Sequence, residues 1–293
     1  KEKYLNKIET KYFGKERAAS LSEERAKETK FFESIAKYES KEKEFLKEIE
    51  KIVCLSDSKV GIEIINTFMV ECLENKIKLT ATNLTDSIVC YCNAVIEDPL
   101  SLCIPSKKLF EIIKAFSNNI IYITSDNEYN LKITDKKSRF SMKGFSVEDF
   151  PKVSNQINPE KSIELVSNNL VDMIHKTIYA VSHDQTRYVL MGLLFNVKKN
   201  KLKIYSTDGR RMSIVENNVI SNIDEIKFII STGSCLSLLK LLTPAEKNIK
   251  ISINDSFVIF NIGETIFSTK AIDGIYPDIN NIIPKEFKHI LSI

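Results

Sequence analysis

An α+β fold, built from two tandem copies of one module, is predicted by three features of the sequence. Apolar and polar residues alternate through many short runs, the pattern of antiparallel strands with one buried and one solvated face. Only two amphipathic helical stretches fall in each copy, enough to cover the buried face of a sheet. The whole pattern then recurs about 125 residues later, far beyond the period of a solenoid repeat. Asn75-Lys-Ile-Lys-Leu-Thr-Ala-Thr-Asn83 returns as Asn200-Lys-Leu-Lys-Ile-Tyr-Ser-Thr-Asp208, and Cys103–Lys114 is shadowed by Ile229–Lys240. Phe140-Ser-Met-Lys143 returns as Phe267-Ser-Thr-Lys270, and Phe150-Pro151 as Tyr276-Pro277. The first helices agree too: Phe45, Leu46, Ile49 and Val53 are echoed by Leu170, Val171, Ile174 and Ile178.

Taken in order, residues 1–31 have no echo in the second half. They alternate Lys, Arg and Glu with scattered apolar residues, which fits a solvated helix laced by ion pairs or a disordered extension. The first module spans 32–157. A strand is expected at Phe32–Tyr38 and a helix at Glu42–Leu55, followed by strands at Glu63–Leu73, Lys76–Thr82 and Ser87–Ile96. Ser106 is placed to cap a helix over Lys107–Phe116, whose apolar face is Leu109, Phe110, Ile113 and Phe116. Strands at Ile120–Thr124, Tyr129–Asp135 and Ser138–Lys143 complete the module, and the polar run Ser154–Lys161 reads as a linker. The second module spans 158–284. Its helices are expected at Asn168–Ala180 and Cys235–Leu242, and its strands include Leu193–Val197, Lys201–Ser206, Ile249–Asn254, Val258–Ile262 and Ile266–Lys270.

The bulk numbers bound the function. A chain of 293 residues with 43% hydrophobic and 28% charged residues can bury two cores. A formal charge of +3 is no strong basic field, so any role with nucleic acid depends on where the cations sit. No apolar run approaches a membrane span and no secretory signal is apparent. The six cysteines lack paired CxxC spacing, which fits reduced, mostly buried thiols in a cytoplasmic protein.

The stretch Lys203–Ile214 has the most to say. A strand enters a turn at Asp208-Gly209, and Arg210 and Arg211 emerge from it beside Met212 and Ile214. Such a turn can hold an acidic partner, bury a docking anchor, or be a hairpin with solvated charges. Catalytic signals are missing elsewhere: there is no HExxH, GxSxG or Gly-rich phosphate loop. His175 and His183 suit surface or capping roles. Ser231-Thr-Gly-Ser234 resembles an anion nest, but Pro105-Ser-Lys-Lys108 occupies the matching place in the repeat, which favours helix capping. Asp208 with Arg210 and Arg211 lacks a base or metal partner. No catalytic residue, metal site or cofactor is expected.

Thr207-Asp-Gly-Arg-Arg-Met212, with Arg187-Tyr-Val-Leu-Met-Gly192 before it and Tyr276-Pro-Asp-Ile-Asn-Asn-Ile-Ile-Pro284 after it, resembles the beta subunit of bacterial DNA polymerase III, the sliding clamp. The resemblance runs from about residue 32 to the end. It implies the DNA-clamp fold: helices lining a hole, sheets outside, and a head-to-tail homodimer of three-domain chains closed round duplex DNA. On that resemblance the function is that of a non-catalytic processivity factor in the cytoplasm. Its partners would be double-stranded DNA, the replicative polymerase, a clamp loader and repair proteins, the proteins docking through short peptides.

Candidate DNA-facing cations on or near the helices are Lys43, Lys47, Lys51, Lys107, Lys108, Lys114, Lys176 and Lys240. The resemblance adds Lys59 and Tyr188 and again points to Lys107. Asp184 and Val189 stand where the family can carry further contacts. For the family's peptide groove the matching residues are Leu190, Thr207, Gly209, Arg210, Arg211, Met212, Pro277, Asn281 and Ile282. Met212 is softer than the aliphatic residue often found there, and Asn281 replaces a frequently basic one. Residues 285–293 correspond to the start of an absent third domain. That absence leaves a second expectation: a peptide-binding adaptor that cannot close a ring. The mildly basic charge also departs from the acidic balance common in the family.

Overall fold

The computed structural model describes residues 41–55, 62–97, 99, 101–116, 120–135, 137–153, 161–242, 248–254 and 256–278. The expected strand Phe32–Tyr38, the charged segment 1–31, residues 154–160 of the linker, and residues 285–293, whose Ile290–Ile293 end also reads as a strand in the sequence, lie outside them. Two compact units can be separated. The smaller contains residues 41–47 and Glu111–Lys143, and the larger contains Glu48–Phe110 and the rest of the described chain.

The duplication is visible in the strand order. Helix α1 (Lys41–Val53) precedes β1 (Thr67–Cys72), β2 (Lys76–Thr82), β3 (Asp86–Asn93) and β4 (Ser101–Pro105), which lie in the order β4-β1-β2-β3. Helix α2 (Ser106–Ala115) follows, then β5 (Tyr122–Ser125), β6 (Asn130–Thr134) and β7 (Arg139–Lys143), an antiparallel sheet in the smaller unit. The second half opens with β8 (Ser162–Val166) and α3 (Ser167–Ile178). Next come β9 (Gly192–Lys198), β10 (Lys201–Thr207), β11 (Met212–Asn218), the short β12 (Ile220–Ser221) and β13 (Glu225–Ser231). Here the order is β11-β10-β9-β13, the same connectivity as the first half. Helix α4 (Thr232–Leu241) leads to β14 (Asn248–Asn254), β15 (Phe257–Ile262) and β16 (Thr265–Lys270), consecutive like β5-β6-β7.

The register repeats as well as the order. Leu79 lies opposite Val70, and Ile204 lies opposite Phe195. Cys103 and Phe145 exchange backbone hydrogen bonds of 2.9 Å, and the Ile272 N–H reaches the Ile229 carbonyl at 2.8 Å. β16 pairs antiparallel with β3, Phe267 opposite Ile88, so nine strands form one continuous sheet, β12-β8-β14-β15-β16-β3-β2-β1-β4. We call the β3–β16 pairing the seam. Phe68, Phe195, Phe260 and Phe267 are fully buried beneath the sheets. Each contributes roughly 1.5–3 kcal/mol by removing apolar surface from water.

Several element boundaries differ from the sequence reading. Glu63–Asn66 is a 3-10 turn, so β1 starts at Thr67 rather than Glu63. Ser106 does not cap α2. β4 runs into the helix without a loop, Ser106 is the first helical residue, and its hydroxyl donates to the Asn66 carbonyl at 2.8 Å. In the second half the cap is real: the Ser231 hydroxyl oxygen accepts from the Ser234 N–H at 3.0 Å, starting α4 three residues earlier than expected. β8, not expected from the sequence, begins directly after the expected linker Ser154–Lys161 and buries Ile163 and Leu165. β4, β11, β12 and β13 are further additions. None of the described helices is long and apolar enough to cross a membrane.

Candidate functional site

The β10–β11 turn is a closed set of local hydrogen bonds. The Asp208 Oδ1 accepts the N–H of Arg210 at 2.9 Å and of Arg211 at 3.0 Å, while its Oδ2 accepts the Arg211 Nε–H at 3.1 Å. Those two backbone donors, helped by the guanidinium, hold the Asp208 carboxyl well below its usual range, at about 2. The Thr207 hydroxyl accepts the Gly209 N–H at 3.1 Å and donates to the Arg211 carbonyl at 2.7 Å. Gly209 sits at φ +89, the left-handed region where a Cβ is strained. The Arg211 guanidinium lies 5.6 Å above the Tyr179 ring, and Arg187 Nη1 donates to the Asp208 carbonyl at 3.3 Å. Arg210 and Arg211 are thus presented, exposed, from a rigid loop.

Beside the turn lies an apolar cluster. Leu190, Leu194, Tyr205, Ile229 and Tyr276 are buried together, and Val189, Met212 and Ile272 pack against them half-buried. β9, β10 and β13 supply Leu194, Tyr205 and Ile229 from neighbouring strands, and Met212 comes from the first position of β11. Tyr276 locks the cluster to the turn, its hydroxyl oxygen accepting the Thr207 N–H at 3.2 Å. Gly192 allows the tail segment to come close. A Cβ there would sit 2.6 Å from Ile229 Cγ2, 2.8 Å from the Ile230 carbonyl and 2.9 Å from Ile272 Cδ1. Tyr188 and Tyr179, each 56% exposed, and Ile275, 94% exposed, are large hydrophobics nearby in the chain. Such a floor of desolvated side chains with aromatic neighbours suits an apolar peptide anchor.

The structure therefore brings Leu190, Thr207, Gly209, Arg210, Arg211 and Met212 to one place. Pro277 is exposed next to Tyr276, and Asn281 and Ile282 lie outside the described residues. The sequence reading missed Leu194, Tyr205, Ile229, Ile272 and the anchoring role of Tyr276, which the Tyr276-Pro277 echo alone had marked. Val189 packs on this cluster rather than standing free for DNA. Asp184 is taken up locally: it caps the 3-10 helix Gln185–Met191 and pairs with Arg187 at 3.1 Å.

The cations are distributed more widely. Lys107 and Lys108 stand exposed in the first turn of α2, Lys114 in its last turn, and Lys47 on α1. Lys240 is exposed in the last turn of α4, and Lys176 in that of α3, 3.7 Å from Asp172. Lys51, expected among these cations, is instead engaged within the protein. Its ammonium is bound by both Glu48 oxygens at 2.6 and 2.8 Å and by the Thr265 hydroxyl at 2.9 Å, with 21% of the side chain exposed. A cation so neutralised ties α1 to β16 and is not available to phosphates. Lys43 belongs to α1, with its side chain outside the description, and Lys59 lies outside the described residues.

Cys90, Cys92, Cys103 and Cys235 are buried, Cys54 and Cys72 half-buried, and all six are free thiols. No cluster of metal-ligating side chains occurs among the described residues. His175 and His183 are exposed.

Comparison with known proteins follows the two halves. Residues 37–154 match the family described as DNA polymerase III beta subunit, N-terminal domain, and residues 164–278 match its central domain. The beta sliding clamp of Vibrio cholerae is 22% identical over 248 residues, covering 84% of this chain and 68% of its own. That of Rickettsia bellii is 31% identical over 196 residues, covering 66% and 52%. Among solved structures, the DNA polymerase sliding clamp of Bacillus subtilis superposes with a TM-score of 0.80 at 22% identity, over 84% of this chain and 67% of that one. The Helicobacter pylori beta clamp bound to a DNA ligase peptide superposes with a TM-score of 0.75 at 24% identity, over 85% and 70%. The chain spans about two thirds of the length of most of these relatives.

Proposed function

The chain belongs to the DNA polymerase III beta subunit family, the beta sliding clamps, and from that premise we propose that it is a DNA-tethering processivity clamp, or the greater part of one. The observation that carries the proposal is the order of the two matches. The family's N-terminal and central domains fall on two halves of identical strand connectivity. In this reading the first module comprises residues 32–157 and the second 158–284. The working assembly is a closed ring of two chains, in which the third domain of the family takes part.

Duplex DNA carries one charge per roughly 1.7 Å of axis, so a cation-lined hole is attracted to it whatever the base sequence. Phosphate contacts alone set no preferred stop, and the collar can slide. Lys47, Lys107, Lys108, Lys114, Lys176, Lys240 and Tyr188 supply the contacts among the described residues. The groove floored by Leu190, Tyr205, Ile229, Met212 and Tyr276 takes the hydrophobic anchors of a partner's short peptide. Arg210 and Arg211 at its edge suit acidic flanks. No step of this function makes or breaks a covalent bond.

The direct test is retention on DNA. The full gene product, loaded onto nicked circular DNA, should stay bound until the circle is linearised and then slide off. Equal loss from circular and linear DNA would refute topological tethering.

A further inference from the structure

The seam between the halves contains a buried carboxyl that the proposed function does not use. Asp86, at the start of β3, is 4% exposed. Its Oδ1 accepts a 2.6 Å hydrogen bond from the Ser234 hydroxyl, in the first turn of α4. The Thr269 hydroxyl of β16 donates in turn to Ser234 at 3.0 Å. Ser87 and Ser268 share a 2.5 Å hydroxyl contact one residue along the same pairing. Helix α4, which on sequence could have received an external anion at its N-terminus, instead has the first half's own carboxyl bound to its first turn.

We propose that Asp86 is a proton-sensitive latch on the seam: protonated, it docks the first half tightly onto α4 and β16, and ionised, it loosens that contact. The chemistry is an imbalance of donors. A buried carboxylate needs a cation or several hydrogen bonds to offset lost hydration. Asp86 has hydroxyls, and among the described residues no Lys, Arg or His forms an ion pair with it. From the β2–β3 turn it meets the Asn83 amide, and from β16 Thr269, followed by the exposed Lys270. From α4 it meets Ser234, followed by the buried Cys235, whose thiol is pushed up by burial first and by Asp86 second. Burial outweighs the Ser234 hydrogen bond and the polar neighbours Thr269 and Asn83, and raises the Asp86 carboxyl above its usual range.

A carboxyl that titrates higher folded than unfolded binds its proton more tightly in the folded state. Its stabilising contribution is complete below the unfolded value, near 4, and is lost as pH rises through the folded value.

The test is amide hydrogen exchange on the full chain at pH 3.5 and 7.5, corrected for intrinsic rates, reading the β3–β16 amides against the β9–β10 amides as internal control. In the wild type the seam amides should exchange at least about threefold faster at pH 7.5, with the control unchanged. Asp86→Asn should abolish that difference by fixing the slow rate, and Ser234→Ala should speed seam exchange at pH 7.5. Persistence of the wild-type difference in Asp86→Asn, or an equal difference in the control amides, overturns the proposal. The carboxyl carbon of Asp86 in wild-type protein gives a check independent of any variant's folding. Its NMR titration midpoint should lie above that of an ordinary Asp, and a midpoint at or below it refutes the latch.

Discussion

Replacing Gly209 by Ala and Leu84 by Gly should shift stability in opposite directions, because the two residues hold the same place in two copies of one turn. In the β2–β3 turn the Asn83 Oδ1 accepts the N–H groups of Thr85 and Asp86 at 3.0 and 2.7 Å. The Thr82 hydroxyl accepts from the Leu84 N–H at 3.0 Å and donates to the Asp86 carbonyl at 2.8 Å. Asp208 and Thr207 repeat every one of these bonds. Leu84 stands at φ +75 where Gly209 stands at φ +89. A side chain in this region costs about 1–2 kcal/mol. Gly209→Ala therefore loses about that much, less up to about 1 kcal/mol from the stiffer unfolded chain. Its new Cβ would lie 3.0 Å from Arg187 Nη1, a flexible group that can move aside. Leu84→Gly relieves the strain, and since the Leu84 side chain is 56% exposed it surrenders little packing. After the extra unfolded-state entropy of glycine, the net gain is about 0.5 kcal/mol or slightly more. Urea unfolding at matched m-values reads both, with midpoint shifts on the order of a few tenths of a molar. A Leu84→Gly variant that loses 1 kcal/mol or more, or a Gly209→Ala variant that gains stability, would refute the equivalence of the two turns.

Other outcomes can be set beside this one. Gly192→Ala should cost about 1–3 kcal/mol by overpacking, since two of its three close neighbours are firmly packed, and should weaken peptide binding as Ile272 is displaced; calorimetry and fluorescence anisotropy measure the two effects. Met212→Asp should weaken a peptide with Leu and Phe anchors by roughly tenfold or more while leaving the melting temperature within a few degrees, and unchanged affinity would remove Met212 from the groove. Lowering pH from about 4 through about 2 should release the Arg210 and Arg211 amides as Asp208 protonates, because a depressed carboxyl stabilises fully above its unfolded value and loses that contribution as pH falls through the folded one; their NMR shifts should follow that titration and lose it in Asp208→Asn. Lys108→Ala should lower the salt dependence of DNA binding by about one ion, whereas Lys51→Ala should leave it unchanged and reduce stability instead.

The duplication was legible because it is written in local patterns. Asn75–Asn83 and Asn200–Asp208 share alternation and hairpin position, and strand connectivity follows from them. The apolar floor of the site was not legible, because Leu194, Tyr205 and Ile229 alternate along their strands as any core residue does. Their meeting depends on the β13-β9-β10 register, which no single stretch encodes. Lys51 misled for the same reason. Glu48 is three residues away, but Thr265, which completes the ammonium's shell, is 214 residues distant. Ser106 looked like a cap because its residue type is right. Its hydroxyl is taken by a carbonyl 40 residues earlier. Gly209 and Leu84 could have been matched, since the repeat places them opposite one another, yet a leucine gives no local sign of left-handed backbone.

The second neighbour of β3, β16, is the last of the described strands to be made. Ser87 meets Ser268 across 181 positions of chain, so during synthesis the first four strands leave the ribosome with one flank unsatisfied. At about 5–20 residues per second that flank waits roughly 10–35 s for β16. A long bare edge is a template for pairing with the wrong chain. Newly made chains of this protein should thus need shielding at β3 while the second half is translated, and slowing translation between β4 and β16 should raise the aggregated fraction more than slowing it after Lys270.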